Sequence, residues 1–207
     1  MQLFTLEHSQ SAYRADFAFY SVASISLTIF LMFASPYGRG HQILALIMIG
    51  LISWTLVEYL LHRFILHGLA PFNKWHDQHH ERPSALIYTP TIFSACLITA
   101  FTFMPIFIFT DIWIAGAFTL GILLGYLAYT FMHHAIHHLR MDSQWLKQRR
   151  RWHAVHHIDS HKHMRQAGHY GVTTEFWDHV FGTIILRKKS AEIVPVIASA
   201  IPVKTNI

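Results

Sequence analysis

Charge is scarce in this chain: Asp, Glu, Lys and Arg make up 13% of its 207 residues. A typical soluble domain carries roughly 25%, whereas hydrophobic residues here reach 53%. That imbalance excludes an ordinary water-facing surface and points to a membrane protein. Cysteine is nearly absent. The single one, Cys96, lies inside an apolar run, which excludes a disulfide framework or a thiolate metal site and leaves it as a small packing residue. The net charge of +5 comes without a basic stripe interleaved with aromatics, so nucleic acid is not the partner. Met1 to Ala15 lacks the basic segment and short apolar core of a cleaved signal peptide. The first apolar segment therefore reads as a retained anchor. Neither an H-E-x-x-H motif nor the Glu and Glu-x-x-His signature of soluble di-iron bundles is found, and there is no solenoid repeat.

Long apolar runs are plentiful instead. Four extend approximately from Phe17 to Ser35, Ile43 to Leu61, Thr91 to Phe109 and Ile112 to Phe131. Each approaches the ~20 residues that carry a helix across a hydrocarbon core of about 30 Å. They are apolar nearly all round, unlike the one-sided helices of a soluble protein. The links at Pro36 to Gln42 and at Thr110–Asp111 are short, while His62 to Pro90 and everything after Met132 are long, polar and rich in histidine. Four crossings put both long segments and the N-terminus on one side. Of sixteen Lys and Arg residues only Arg39 falls in the opposite loops, so the positive-inside rule places both termini and the histidines in the cytoplasm. Lys147 and Arg149 to Arg151 add a basic face suited to water or to anionic headgroups. Gly116, Gly121 and Gly125 in the fourth run suit close helix packing.

Histidine is the second excess, with eighteen residues gathered in clusters. His62 and His67 stand five apart. His76, His79 and His80 follow, then His133, His134, His137 and His138, and finally His153, His156 and His157. Spacings of three and four put side chains on one helix face, so the second and fourth clusters each project together. His133 and His137 form one i, i+4 pair, with His134 and His138 rotated by about 100°. The five-residue spacing fits one face less well and needs a helix end or a bend. Repetition on one membrane face points to metal. Ten histidines (His62, His67, His76, His79, His80, His133, His137, His153, His156 and His157) exceed the three or four ligands of a zinc site and suit two metals with positions left for oxygen. Imidazole by itself does not choose among iron, zinc, copper and nickel.

These boxes, HxxxxH, HxxHH, HxxxH and HxxHH in that order, resemble those of the fatty acid hydroxylase and sterol desaturase superfamily of membrane di-iron enzymes. The resemblance runs from Glu58 to Thr183 and includes Gly171-Val172-Thr173-Thr174 and Trp177-Asp178-His179-Val180-Phe181-Gly182-Thr183. Glu58-Tyr59 and the Trp-Asp-x-x-Phe-Gly-Thr ending point to the fatty-acyl and sterol branch rather than to carotenoid-ring hydroxylases. The resemblance implies an all-α integral-membrane fold, four transmembrane helices under a cytoplasmic helical cap that holds a di-metal site. It forms a single domain over 1–207, with 184–207 as a tail. It also implies two iron ions (zinc being able to replace them in purified protein), dioxygen, a lipid that is hydroxylated or desaturated, and an external electron donor. That donor would be a reductase, ferredoxin or b-type cytochrome, for which the chain itself has no room. Two departures stand out: Tyr129-Thr130-Phe131-Met132 replaces an acidic residue common before the third box, and His161, His163 and His169 are extra. The extra histidines read as exposed loop residues.

Metal-bound imidazoles normally donate their other N–H to a carboxylate or carbonyl. Glu58, Asp77 and Asp178 are the leading carboxylates for that task, with Asp142, Asp159 and Glu175 also near the boxes. Glu58 is the strongest, since it ends an apolar crossing where a bare carboxylate is costly. Tyr59, Phe64, Trp75, Trp152, Phe176 and Trp177 would shape a lipid channel or anchor the interface. A histidine-rich metal transporter is the rival from another class. It would need ligands at mid-membrane depth, and the crossings hold almost none.

Overall fold

The computed structural model describes residues 7–139, 143–162 and 168–185, with the side chains of 159–162 left aside. Asp142, His163 and positions 186–207 of the tail therefore lie outside the described residues, as do the side chains of Asp159 and His161. The described chain is helical, with one isolated antiparallel bridge, Glu7 to Ile87. In order come α1 (Gln10–Ala34), α2 (Gly40–Leu60), α3 (Phe72–Glu81), α4 (Thr91–Ile98), α5 (Met104–Phe109), α6 (Ile112–His138), α7 (Gln144–Lys162) and α8 (Phe176–Val180). A π-helical turn, Leu61–Leu66, prolongs α2, and another, Thr99–Phe103, joins α4 to α5 just before Pro105.

Four of these units are long and apolar enough to cross a membrane: Gln10–Ala34, Gly40–Leu66, Thr91–Phe109 and Ile112–His138. The first starts earlier than its apolar run because Ser9 caps it, its hydroxyl accepting from the Ala12 N–H at 3.2 Å. The Asp111 carboxylate caps α6 in the same way, accepting from Trp113 and Ile114 N–H at 2.9 Å. Pro36 ends α1, since the residue before a proline is driven to extended backbone and Ser35 has ψ 146°. Arg39 and Asp111 pair at 2.6 Å, which ties the two short links together at one end of the bundle. The histidines lie at the other end.

α6 is the central helix, with α1, α2 and α4–α5 arranged around it. Phe33, Ile92, Phe101 and Phe109 point outward at 77–86% exposure, an apolar surface that water would not tolerate but lipid would. Cys96 is exposed on α4 rather than packed inside. α2 and α6 approach closely at Gly50 and Gly121. A Cβ on Gly121 would overlap the Ile47 carbonyl and lie 2.7 Å from Leu51 N and 2.8 Å from Gly50 Cα. Backbone cannot swing aside as a side chain can. Gly121→Val should therefore lower stability by about 3 kcal/mol, read as a reduced unfolding temperature in detergent. A Cβ on Gly116 would meet, among the described residues, the Leu27 and Leu31 methyls at 3.5 Å, so Gly116→Ala should be nearly silent.

Candidate metal centre

The five-residue spacing of the first box is met by backbone geometry. The chain widens into a π turn there, and His67 N–H donates to the His62 carbonyl at 3.2 Å, an i to i+5 bond. A wider turn brings residues five apart onto nearly one face. Both rings are buried, and their centroids lie 5.2 Å apart.

All ten predicted histidines converge, but they sort by cluster rather than by box. His62, His67, His76, His80 and His156 form one group in which a ligand nitrogen from each lies within 4.8 Å of the others. His79, His133, His137 and His153 form a second, and His157 Nε2 sits 3.0 Å from His153 Nε2 beside it. α3 therefore supplies His76 and His80 to one group and His79 to the other. α7 likewise divides His156 from His153 and His157. A helical face is broad enough for this because consecutive residues are turned by about 100°. His133 and His137 face inward from α6. His134 turns away, bonded to Tyr13 Oη at 2.9 Å, and stacks on His138 at 4.8 Å.

The tautomers of two rings follow from their partners. Carbonyl oxygens only accept, so His62 Nδ1 donates to Tyr170 O at 2.6 Å and His156 Nδ1 donates to Gly168 O at 2.8 Å. Each neutral ring then presents a bare Nε2 lone pair to the cluster. Within the groups, Nε2 atoms approach at 3.0 Å (His62–His76), 2.9 Å (His76–His80), 3.1 Å (His67–His156) and 3.0 Å (His137–His153). Each such pair can share one proton in an N–H···N bond or, with both nitrogens bare, hold a cation between them; His76 Nε2 meets both His62 and His80 and has one proton at most to share. Nitrogens at about 2.1 Å from an ion and 90° apart stand about 3.0 Å from each other, so the donor set fits metal, in an arrangement more open than a tetrahedron. His79 supports the same reading: among the described residues neither of its ring nitrogens has a hydrogen-bond partner, although the residue is buried.

Burial pushes the His79 imidazole down to about 4, and it drives His76, His153, His156 and His157 well below the usual histidine value, with neighbouring imidazoles adding to the effect. In metal-free protein such rings stay neutral when folded but protonate near pH 6.5 once exposed. Their contribution to stability is complete above about pH 6.5 and shrinks as pH falls toward 4. His79 by itself loses about 3 kcal/mol over that window. Metal-stripped protein should therefore unfold at steadily lower temperature from pH 6.5 to pH 4.5 in detergent. A flat profile would contradict the burial of neutral rings.

The segment 168–173 braces the first group. Glu58 accepts from Val172 N–H at 2.7 Å, Thr173 N–H at 3.0 Å and the Thr173 hydroxyl at 2.5 Å. These partners, rather than an imidazole, occupy the carboxylate. Asp178, fully buried, accepts from Tyr170 N–H and Gly171 N–H at 2.8 Å and from the Thr183 hydroxyl at 2.6 Å. Both acids thus reach His62 through the backbone that holds it. Asp77 is half-buried on α3. Glu175 meets Arg149 at 3.5 Å. His169 is not an exposed loop residue: it is buried, accepts from Ile185 N–H at 3.0 Å and lies against Trp152. Its backbone is left-handed, with φ 59°, a conformation that residue type does not announce. Gly168 O and Tyr170 O were the contributors that sequence reasoning missed, because a backbone carbonyl carries no residue signature.

Beside the histidines opens a cavity of about 260 Å³ whose wall includes His76, His79, His133 and His137 together with Trp75, Phe93, Leu97, Tyr126, Tyr129 and Trp54. His138 and Tyr126, both on its wall, are twelve residues apart on α6, so the cavity runs down the helix for about 18 Å. Phe64 and Phe176 point outward instead, and Trp177 donates from Nε1 to Thr55 Oγ1 at 2.9 Å.

The chain is similar to known proteins. The chain is 35% identical over 149 residues to the ceramide very long chain fatty acid hydroxylase scs7 of Schizosaccharomyces pombe, covering 66% of this chain and 41% of that protein. Against the fatty acid 2-hydroxylase of Rattus norvegicus it is 31% identical over 155 residues, covering 69% and 40%. A dihydroceramide fatty acyl 2-hydroxylase of Arabidopsis thaliana is 30% identical, with 69% and 62% covered. The chain thus spans about two fifths of the first two relatives. A solved structure, full-length scs7p with only the hydroxylase domain visible, shares the fold at a TM-score of 0.70 and 24% identity, covering 84% of this chain and 67% of that one. Residues 47–183, which hold all ten clustered histidines, match the family model described as fatty acid hydroxylase, and the chain belongs to that family.

Proposed function

We propose that this chain is a membrane lipid hydroxylase that binds two iron ions in its histidine groups and inserts oxygen into a fatty-acyl chain. The observation that carries this reading is the position of the paired histidine groups at the head of an apolar cavity. His62, His67, His76, His80 and His156 would hold one ion, and His79, His133, His137, His153 and His157 the other. Iron, when bound, supplies the redox chemistry that an unactivated C–H bond requires and that zinc lacks. One atom of dioxygen enters the C–H bond and the other leaves as water. Two electrons and two protons come from outside, through a reductase, ferredoxin or b-type cytochrome.

The protein's own residues bind, orient and exclude water. Apolar side chains such as Phe93, Leu97 and Trp54 would take the acyl chain and keep water from the reacting carbon. The polar head would stay at the histidine end, so the carbon nearest the head meets the metals. Relatives named as acyl 2-hydroxylases favour hydroxylation at that carbon over desaturation, and ceramide-type acyl groups over sterols or carotenoids. The distribution of Lys and Arg supports a cytoplasmic position for the histidine groups and both termini. Metal transport fits poorly, because the ligands gather at one end of the crossings.

The test is expression in cells that lack 2-hydroxylated lipids, followed by lipid mass spectrometry and Mössbauer spectroscopy of anaerobically purified protein. New 2-hydroxyacyl lipids and a coupled iron pair are expected. Unchanged lipids, or full activity with zinc alone, would overturn the reading.

A further inference from the structure

The two histidine groups differ in what stands behind their rings. In the first group, His62 donates to a carbonyl of the Tyr170–Gly171 peptide, and the N–H of that same peptide donates to Asp178 Oδ2 at 2.8 Å. A buried carboxylate therefore pulls on one end of a peptide while the imidazole leans on the other. His156 has a parallel support: it donates to Gly168 O, and the N–H of the Gly168–His169 peptide donates to Thr183 O at 3.0 Å. Thr183 is in turn held by Asp178, through its hydroxyl at 2.6 Å and its N–H to the Asp178 carbonyl at 2.9 Å. Both supports thus converge on one side chain that is 0% exposed. Gly171 is required for this, since a Cβ there would overlap the Thr174 carbonyl and sit 2.9 Å from Asp178 Oδ2.

The second group has no such backing at two of its members. His79 and His153 are buried, and among the described residues the Nδ1 atoms of both lack a hydrogen-bond partner. An imidazole whose N–H is engaged by a polarised acceptor is the more basic donor at its other nitrogen, and its orientation is fixed before the ion arrives.

Resting on the di-metal reading above, we propose that Asp178 is a positioning residue that makes the two sites unequal. Through the Tyr170–Gly171 peptide and Thr183 it strengthens His62 and His156, so that the first group holds its metal more tightly than the second. Partners of this kind are worth about 10–100-fold in metal affinity. The second site is then the one that empties and refills.

Zn²⁺ titration of the metal-stripped full chain in detergent, followed by calorimetry with a competing chelator, tests this without any variant. Two binding steps about tenfold or more apart are expected. His67→Ala should remove the tight step and His137→Ala the weak one. Asp178→Asn should weaken the tight step by about 10–100-fold and leave the weak step in place, with Asp178→Glu restoring part of the difference. Two steps of equal affinity in the unaltered chain would overturn the inference while leaving the di-metal reading intact. Equal weakening of both steps by Asp178→Asn would also overturn it, since that is the signature of a general loosening. Failure to bind two ions at all would sink the di-metal reading itself.

Discussion

Replacing His156 by alanine should cut lipid hydroxylation by about a thousandfold or more, equivalent to about 4 kcal/mol of barrier, and reduce bound metal from two ions to one. His156 is 0% exposed and sits at the junction of the first group. Its ring centroid lies 4.4 Å from that of His62 and 4.9 Å from that of His67, and its Nε2 is 3.1 Å from His67 Nε2. The substitution removes a donor and releases Gly168 O, the carbonyl that holds the following segment in place. His134→Ala is the informative companion. That residue is adjacent to His133 in sequence, yet its ring leaves the groups to meet Tyr13. It should keep both ions and most of the activity. Iron analysis beside product assays separates the two, and a His156→Ala protein with two ions and full turnover would exclude the first group as a metal site.

Replacing Glu58 by leucine should destabilise the protein by about 3–5 kcal/mol, because it strands several buried donors at about 1–3 kcal/mol each. The Val172 and Thr173 amides and the Thr173 hydroxyl all point at this one carboxylate across more than a hundred residues of chain. With it gone, the segment carrying Tyr170 O loses its anchor on α2, and the first metal group should loosen as well. Glu58→Gln keeps an acceptor oxygen for the two amides and should cost far less. Unfolding temperature and metal content, measured together on both variants, check the argument. Equal losses for leucine and glutamine would mean that the carboxylate's charge, not its role as acceptor, is what matters.

The four long apolar helices were legible because a span of about 20 apolar residues has few alternatives. Their ends were less so. α1 begins at Gln10 because Ser9 caps it, and α6 carries its histidines to His138 as one unbroken helix. The five-residue spacing of His62 and His67 announced a bend without saying which. A π turn, whose hydrogen bond joins the same two residues, was the answer. The extra histidine His169 read as exposed and is a buried pin beside Trp152, since a lone polar residue in a loop has no periodicity to reveal its environment.

The sequence by itself put the histidine boxes at one end of four apolar helices, through the order of long and short links, and put the rings of the second and fourth boxes on shared faces, because i, i+3 and i+4 positions of a helix lie together. How they divide was decided only by the fold. His79 parts from His76 and His80, and His153 from His156, because α3 and α7 each run between two centres rather than past one. The same is true of Glu58 and Asp178, which the sequence marked as acids near histidines but which act on Val172, Thr173, Tyr170 and Gly171. A backbone amide is the same group at every residue, so only its place in space can show which carboxylate it serves.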